Sequence, residues 1–136
     1  MKRVLIADDE PIERMIVSRT IEKYFSEELT VVSAANGREA VEQFFAGDCQ
    51  IALLDIEMPG MNGLEAAEQI RKRDKNCSII FLTAFDEFNY AKRAIAVRAM
   101  EYLLKPVEDQ ELVAVLEEAV RIAEEQETDR EAGEKK

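Results

Sequence analysis

The chain contains no histidine, and its two cysteines do not share a CxxC spacing. The missing histidine removes Ser-His and Cys-His nucleophile pairs. With only two unpaired cysteines besides, no zinc site of ordinary composition can be assembled. Cys49 and Cys77 sit at the edges of apolar runs and read as buried or half-buried free thiols. No apolar run approaches the roughly 20 residues that cross a bilayer, and the N-terminus MKRVLIADDE lacks a signal-peptide pattern. The expectation is a cytoplasmic protein with no membrane contact. Positive charge is also scarce, with 18 Lys and Arg against 29 Asp and Glu and a net charge of −11. Such a surface does not grip a phosphate backbone, so this segment is not expected to touch nucleic acid directly. It suits a site that takes up cations.

What is present fits a globular domain: 136 residues, 47% hydrophobic and 35% charged, enough to bury one core without disulfides. Apolar runs of strand length alternate with helical patterns from end to end. Val4 to Ala7, Leu29 to Ala34, Ile51 to Leu54, Ile79 to Leu82 and Tyr102 to Leu104 read as strands. Pro11 opens the first helix, with Ile12, Met15, Ile16, Ile21, Tyr24 and Phe25 as its inward stripe. Asn36 caps the second, with Glu39 as capping-box partner and Ala40, Val41, Phe44 and Phe45 as its apolar face. The third runs from about Asn62 to Arg73. The fourth, Glu87 to Val97, is capped by Asp86. The last starts near Asp109 and buries Leu112, Val115, Leu116, Ala119, Val120 and Ala123.

Five strand-then-helix units predict a single-domain α/β fold, a flavodoxin-like doubly wound parallel sheet in the order 2-1-3-4-5. The folded unit is expected over residues 1–123. Residues 124–136, EEQETDREAGEKK, lose their apolar members and read as a charged helix extension or the start of a linker.

The segment LLDIEMPGMNG carries the strongest local signal. A fully apolar strand runs into Asp55, and Pro59, Gly60 and Gly63 then break the chain into a loop, which presents the carboxylate at a rim. The first strand ends likewise on Asp8 and Asp9; Glu10 beyond them reads as a cap or a solvated residue. In the predicted order the switch point lies between strands one and three, where ligands of such sheets bind, so these acids converge there. Strand four adds Thr83 and strand five adds Lys105. Crowded carboxylates repel and favour a hard divalent cation such as Mg2+. Lys105 supplies a compact positive charge and Thr83 a hydroxyl donor. Asp55 can then serve as a carboxylate nucleophile toward a phosphoryl group.

Asp8-Asp9, LLDIEMPGMNG with Asp55, FLTA with Thr83 and YLLKP with Lys105 together resemble the receiver domain of two-component response regulators, over residues 2 to about 123. The resemblance implies that Asp55 is the phospho-acceptor and that Asp8, Asp9 and Asp55 hold Mg2+ together with the backbone carbonyl of Glu57. It implies a switch pair in Thr83 and Tyr102, a cis Lys105-Pro106 bond, and a sensor histidine kinase as phosphoryl donor. Output would pass through a further domain of the same chain or a target protein, with homodimerisation through the fourth helix, fifth strand and fifth helix. Such a domain promotes its own phosphorylation and dephosphorylation and turns over no separate substrate. Phe85, Phe88 and Tyr90 resemble the aromatic cluster of receivers attached to AraC-type DNA-binding domains, which points to transcription regulation. Two other readings remain open: a stand-alone receiver acting by protein binding, and a Mg2+-dependent aspartyl phosphatase of the haloacid-dehalogenase type. The latter wants a second Asp where this chain has Glu57, and a cap insertion for which there is no room.

Overall fold

A computed structural model describes residues 1–134; residues 135 and 136 of the expected tail lie outside the described residues. Five strands and five helices alternate: β1 (Lys2–Ala7), α1 (Pro11–Phe25), β2 (Leu29–Ala34), α2 (Gly37–Ala46), β3 (Ile51–Leu54), α3 (Gly63–Arg73), β4 (Ser78–Thr83), α4 (Phe88–Ala96), β5 (Glu101–Leu104) and α5 (Asp109–Glu134). The strands form one parallel sheet in the order β2-β1-β3-β4-β5, as expected.

The central strand β3 is apolar at every position, and β1 and β4 are apolar through their middles, because both of their faces are covered. Val4, Ile6, Ile51, Leu53, Ile80 and Leu82 point toward α1 and α5. Their neighbours Leu5, Ala7, Ala52, Leu54, Ile79 and Phe81 point toward α2, α3 and α4. This period-two alternation splits the core into two slabs, one on each face of the sheet. Each fully buried Leu or Ile contributes about 1.5–3 kcal/mol relative to an exposed one.

Two sequence expectations are corrected. The first concerns α1, whose buried residues are Val17, Thr20, Ile21 and Phe25. Ile12, Met15, Ile16 and Tyr24 are exposed, Ile12 at 67%. The helix carries two overlapping apolar stripes, and the one through Val17, Ile21 and Phe25 reaches the sheet. Thr20 fits the buried face because its hydroxyl donates back to the Ile16 carbonyl. The second concerns α4, which starts at Phe88 with Glu87 as its N-cap and makes no side-chain cap hydrogen bond, so Asp86 does not cap it. At α2, Asn36 accepts from the Glu39 N–H as expected, whereas the complete reciprocal box is formed by Asn62 and Glu65 at α3.

α5 runs for 26 residues to Glu134. Its polar end lies along the bottom of the sheet, where Lys2 pairs with Glu127 and the Gln126 amide donates to the Asn76 carbonyl at 2.9 Å. A surface hollow lies at this end, lined by Lys2, Asp48, Cys49, Asn76, Cys77 and Gln126, far from the acidic rim. Cys49 and Cys77 are buried free thiols, and burial pushes both up to about 11.

Candidate functional site

Backbone pairing continues one residue past several strands and fixes the rim. The Asp8 N–H donates to Ala34 O at 3.2 Å, the Asp55 N–H to Ala7 O at 2.9 Å and the Lys105 N–H to Thr83 O at 2.8 Å. These bonds set the acids of β1 and β3 side by side and bring Lys105 in from β5. One carboxylate oxygen from each of Asp8, Asp9 and Asp55 lies within 4.8 Å of the others. The sequence placed these three together, and they meet.

Their environments differ. Asp8 is buried, its Oδ1 accepting from the Glu10 N–H at 3.0 Å and its Oδ2 from Lys105 Nζ at 2.8 Å. Asp9 is exposed. Asp55 is half-buried; its Oδ1 accepts from the Ile56 N–H at 2.7 Å, and its Oδ2 lies 3.5 Å from Lys105 Nζ. One oxygen of Asp55 is thereby held while the other faces the cation. Burial raises the Asp55 carboxyl above its ordinary range; Lys105 opposes this, Asp8 reinforces it, and the Ile56 N–H and the Thr83 hydroxyl pull it back down. For Lys105, burial works against the charge, but the bond to Asp8 and the charges of Asp55, Asp8 and Glu13 outweigh it and raise the ammonium.

Thr83 is fully buried at the end of β4, and its Oγ1 accepts from the Phe85 N–H at 3.4 Å. Tyr102 is half-buried, its ring centroid 6.3 Å from that of Phe81, and its hydroxyl donates to the Phe85 carbonyl. The two residues read as a switch pair therefore grip the same residue, one through its N–H and one through its C=O. The Lys105-Pro106 bond is cis.

The loop after Asp55 folds back tightly. The Gly63 N–H donates to Ile56 O at 2.8 Å, and a Cβ at Gly63 would lie 1.8 Å from the Asp55 carbonyl oxygen. Only glycine allows that approach. Met58 is buried and Met61 packs against the core, as filler.

Several participants escaped sequence reasoning. Glu13 brings a third carboxylate to Lys105, with Oε2 3.7 Å from Nζ; its place in the first turn after Pro11, next to the acidic rim, was the available signal. The Tyr90 hydroxyl donates to Glu57 Oε2 at 3.3 Å, joining α4 to the loop beyond Asp55. Arg71 clamps the other end of α4, donating to the carbonyls of Val97 and Cys77, each at 2.8 Å. Neither pairing has a sequence signature, since each joins separate elements.

The model of the response regulator receiver domain family matches residues 4–117. The chain belongs to this family. Among curated relatives, the receiver is 40% identical over 118 residues to the positive alginate biosynthesis regulatory protein of Pseudomonas aeruginosa, covering 87% of this chain and 47% of that protein. It is 37% identical over 115 residues to the chemotaxis protein CheY of Thermotoga maritima, covering 85% of this chain and 94% of that one. Among solved structures, the response regulator TrrA of Thermotoga maritima in complex with Mg2+ and BeF superposes with a TM-score of 0.75 at 39% identity, covering 88% of this chain and 99% of that one. The receiver spans 47%, 33% and 42% of the lengths of three of its curated relatives. Among the described residues no helix is long and apolar enough to cross a membrane. The chain is a receiver of two-component signalling.

Proposed function

We propose that Asp55 is the phospho-acceptor of this receiver and that it takes its phosphoryl group from a phosphohistidine on a sensor kinase. The observation that carries the reading is the convergence of Asp8, Asp9, Asp55 and Lys105 on one rim, with the buried Thr83 hydroxyl beside Asp55. The Asp55 carboxylate attacks phosphorus, the P–N bond to the donor imidazole breaks, and an acyl phosphate forms. Lys105 pairs with a phosphoryl oxygen, and Thr83 donates to another.

Three carboxylate oxygens within 4.8 Å of one another form a hard-oxygen donor set that fits Mg2+. Asp8, Asp9 and Asp55, with the Glu57 backbone carbonyl, are the residues that would hold it. Bound there, Mg2+ would neutralise charge on the transferring group. Drawing the Thr83 hydroxyl toward the phosphoryl group releases the Phe85 N–H, and Tyr102, tied to the same residue, follows.

The output is transcription regulation in the cytoplasm. Support comes from the alginate regulatory relative and from the aromatic cluster of Phe85, Phe88 and Tyr90. Phe88, Ile95 and Leu104, exposed at 80%, 77% and 40% on α4 and β5, offer an apolar face for homodimer contact. The receiver occupies residues 1–123, and the share it spans of its curated relatives, less than half in each of three, supports an output module in the same protein. Incubation with acetyl phosphate and Mg2+ tests the central step. A one-phosphate mass gain that is absent in Asp55→Asn supports it. Continuous phosphate release with turnover favours the phosphatase reading, and no adduct leaves a protein-binding module.

A further inference from the structure

Glu57 is fixed at its backbone by buried neighbours, while its side chain is exposed. Before it, Ile56 is fully buried, its N–H on Asp55 Oδ1 and its carbonyl accepting from Gly63; after it, Met58 is 7% exposed. The Glu57 side chain is exposed, and its hydrogen-bond partner among the described residues is the Tyr90 hydroxyl, 3.3 Å from Oε2. Tyr90 is better anchored. Its half-buried ring packs against the core slab under α4, and one turn on Arg93 ties the same helix to Glu68 of α3 at 2.5 Å. The phenol is therefore the better-packed partner, and it holds an exposed carboxylate.

Resting on the reading of Asp55 as phospho-acceptor, we infer that Tyr90 is a positioning residue that lengthens the life of the acyl phosphate by holding the Glu57 carboxylate away from the rim. Loss of the phosphoryl group requires a water oxygen to bond to phosphorus as the P–O bond to Asp55 breaks. Asp55 leaves as a carboxylate, and the proton from water stays with the released phosphate or passes to solvent. A carboxylate two residues from Asp55 that is free to turn over the rim can accept a hydrogen bond from that water and orient it for attack. Anchored on Tyr90, Glu57 cannot do so. The hydrogen bond also ties the lifetime to α4, since any shift of that helix carries the phenol away from Glu57.

The test is a double-mutant cycle in Tyr90→Phe and Glu57→Ala, each protein phosphorylated with acetyl phosphate and Mg2+ and followed by intact mass after the donor is removed. Tyr90→Phe keeps the ring and removes only the hydroxyl. The expected result is a phosphoryl loss about two- to fivefold faster in Tyr90→Phe, the redistribution that one exposed hydrogen bond can impose. In the Glu57→Ala background the same substitution has no effect. An unchanged or prolonged lifetime overturns the assignment, as does an equal acceleration with Glu57 absent, which would mark a general loosening of α4. If the parent chain takes up no phosphoryl group, the Asp55 reading itself fails and takes this one with it. An adduct with the wrong lifetimes sinks only the role of Tyr90.

Discussion

Lys105 Nζ lies 2.8 Å from Asp8 Oδ2, closer than its 3.5 Å approach to Asp55 Oδ2, so the ammonium is chiefly the partner of the buried Asp8. This divides the rim into roles. Asp8 is doubly tied, to Lys105 and to the Glu10 N–H, while Asp9 is exposed and free to meet a cation.

An ammonium this close to the carboxylates competes with Mg2+ for them. Lys105→Met keeps the aliphatic stem and removes the charge. It is expected to tighten Mg2+ binding by about three- to tenfold, since a unit charge at contact range near a surface is worth about 1 kcal/mol or more. The same substitution slows phosphorylation by acetyl phosphate. Asp9→Asn should weaken Mg2+ binding and leave metal-free stability unchanged. Calorimetric titration with Mg2+ checks both, and weaker binding in Lys105→Met would contradict the arrangement.

The Asp55 carboxyl is raised by burial, so in the folded state its charged form is disfavoured. A group whose folded pKa lies above its unfolded value adds stability when protonated, and that contribution is lost as pH rises through the folded pKa. The wild type therefore carries a penalty at neutral pH. Asp55→Asn should raise the unfolding midpoint at pH 7, and the advantage should fade as the pH falls into the carboxylate range. Thermal unfolding of both proteins across that range reads the crossover. An Asn variant less stable at pH 7 would count against the assigned environment.

The two glycines of the loop differ in what they avoid. Gly60 has φ 72° and open space around a would-be Cβ, so Gly60→Ala should cost about 1–2 kcal/mol of backbone strain. At Gly63 a Cβ would meet the Asp55 carbonyl oxygen at 1.8 Å. Gly63→Ala must displace the backbone that carries Asp55, and should cost about 3 kcal/mol or more. It should also depress phosphorylation beyond what lost stability explains. Urea unfolding paired with acetyl phosphate labelling separates the two effects.

Arg71 donates to Val97 O and Cys77 O at 2.8 Å, to Arg98 O at 3.2 Å and to Asp74 O at 3.3 Å. One guanidinium thus closes α3, the start of β4 and the turn after α4, where Arg98 has φ 56°. Arg71→Ala should lose about 2–4 kcal/mol, given four carbonyls left without a charged donor. Arg71→Lys should recover little of it, because an ammonium cannot span the fork. Equilibrium urea unfolding gives both numbers.

How much of this could be read from the chain varied with the kind of interaction. The strand order and the rim followed from local signals: apolar runs ending on Asp8, Asp55, Thr83 and Lys105, each pointing to a sheet end. The facing of α1 did not, because Ile12, Met15 and Ile16 are as apolar as Val17 and Ile21, and only packing against the sheet chooses between the stripes. The α4 boundary moved because Asp86 favours a cap by type while Glu87 occupies the position. Lys105 with Glu13, Tyr90 with Glu57 and Arg71 with Val97 join side chains of separate elements, and no spacing rule encodes such meetings.

The claim that Asp55 carries the phosphoryl group is tested most directly by locating it. Borohydride reduces an aspartyl acyl phosphate to homoserine, so the receiver can be phosphorylated with acetyl phosphate and Mg2+, reduced, digested and sequenced by mass spectrometry. The account predicts homoserine at position 55 alone, dependent on Mg2+. Homoserine at Asp8 or Asp9, or a phosphorylated protein with no modification at position 55, would contradict it.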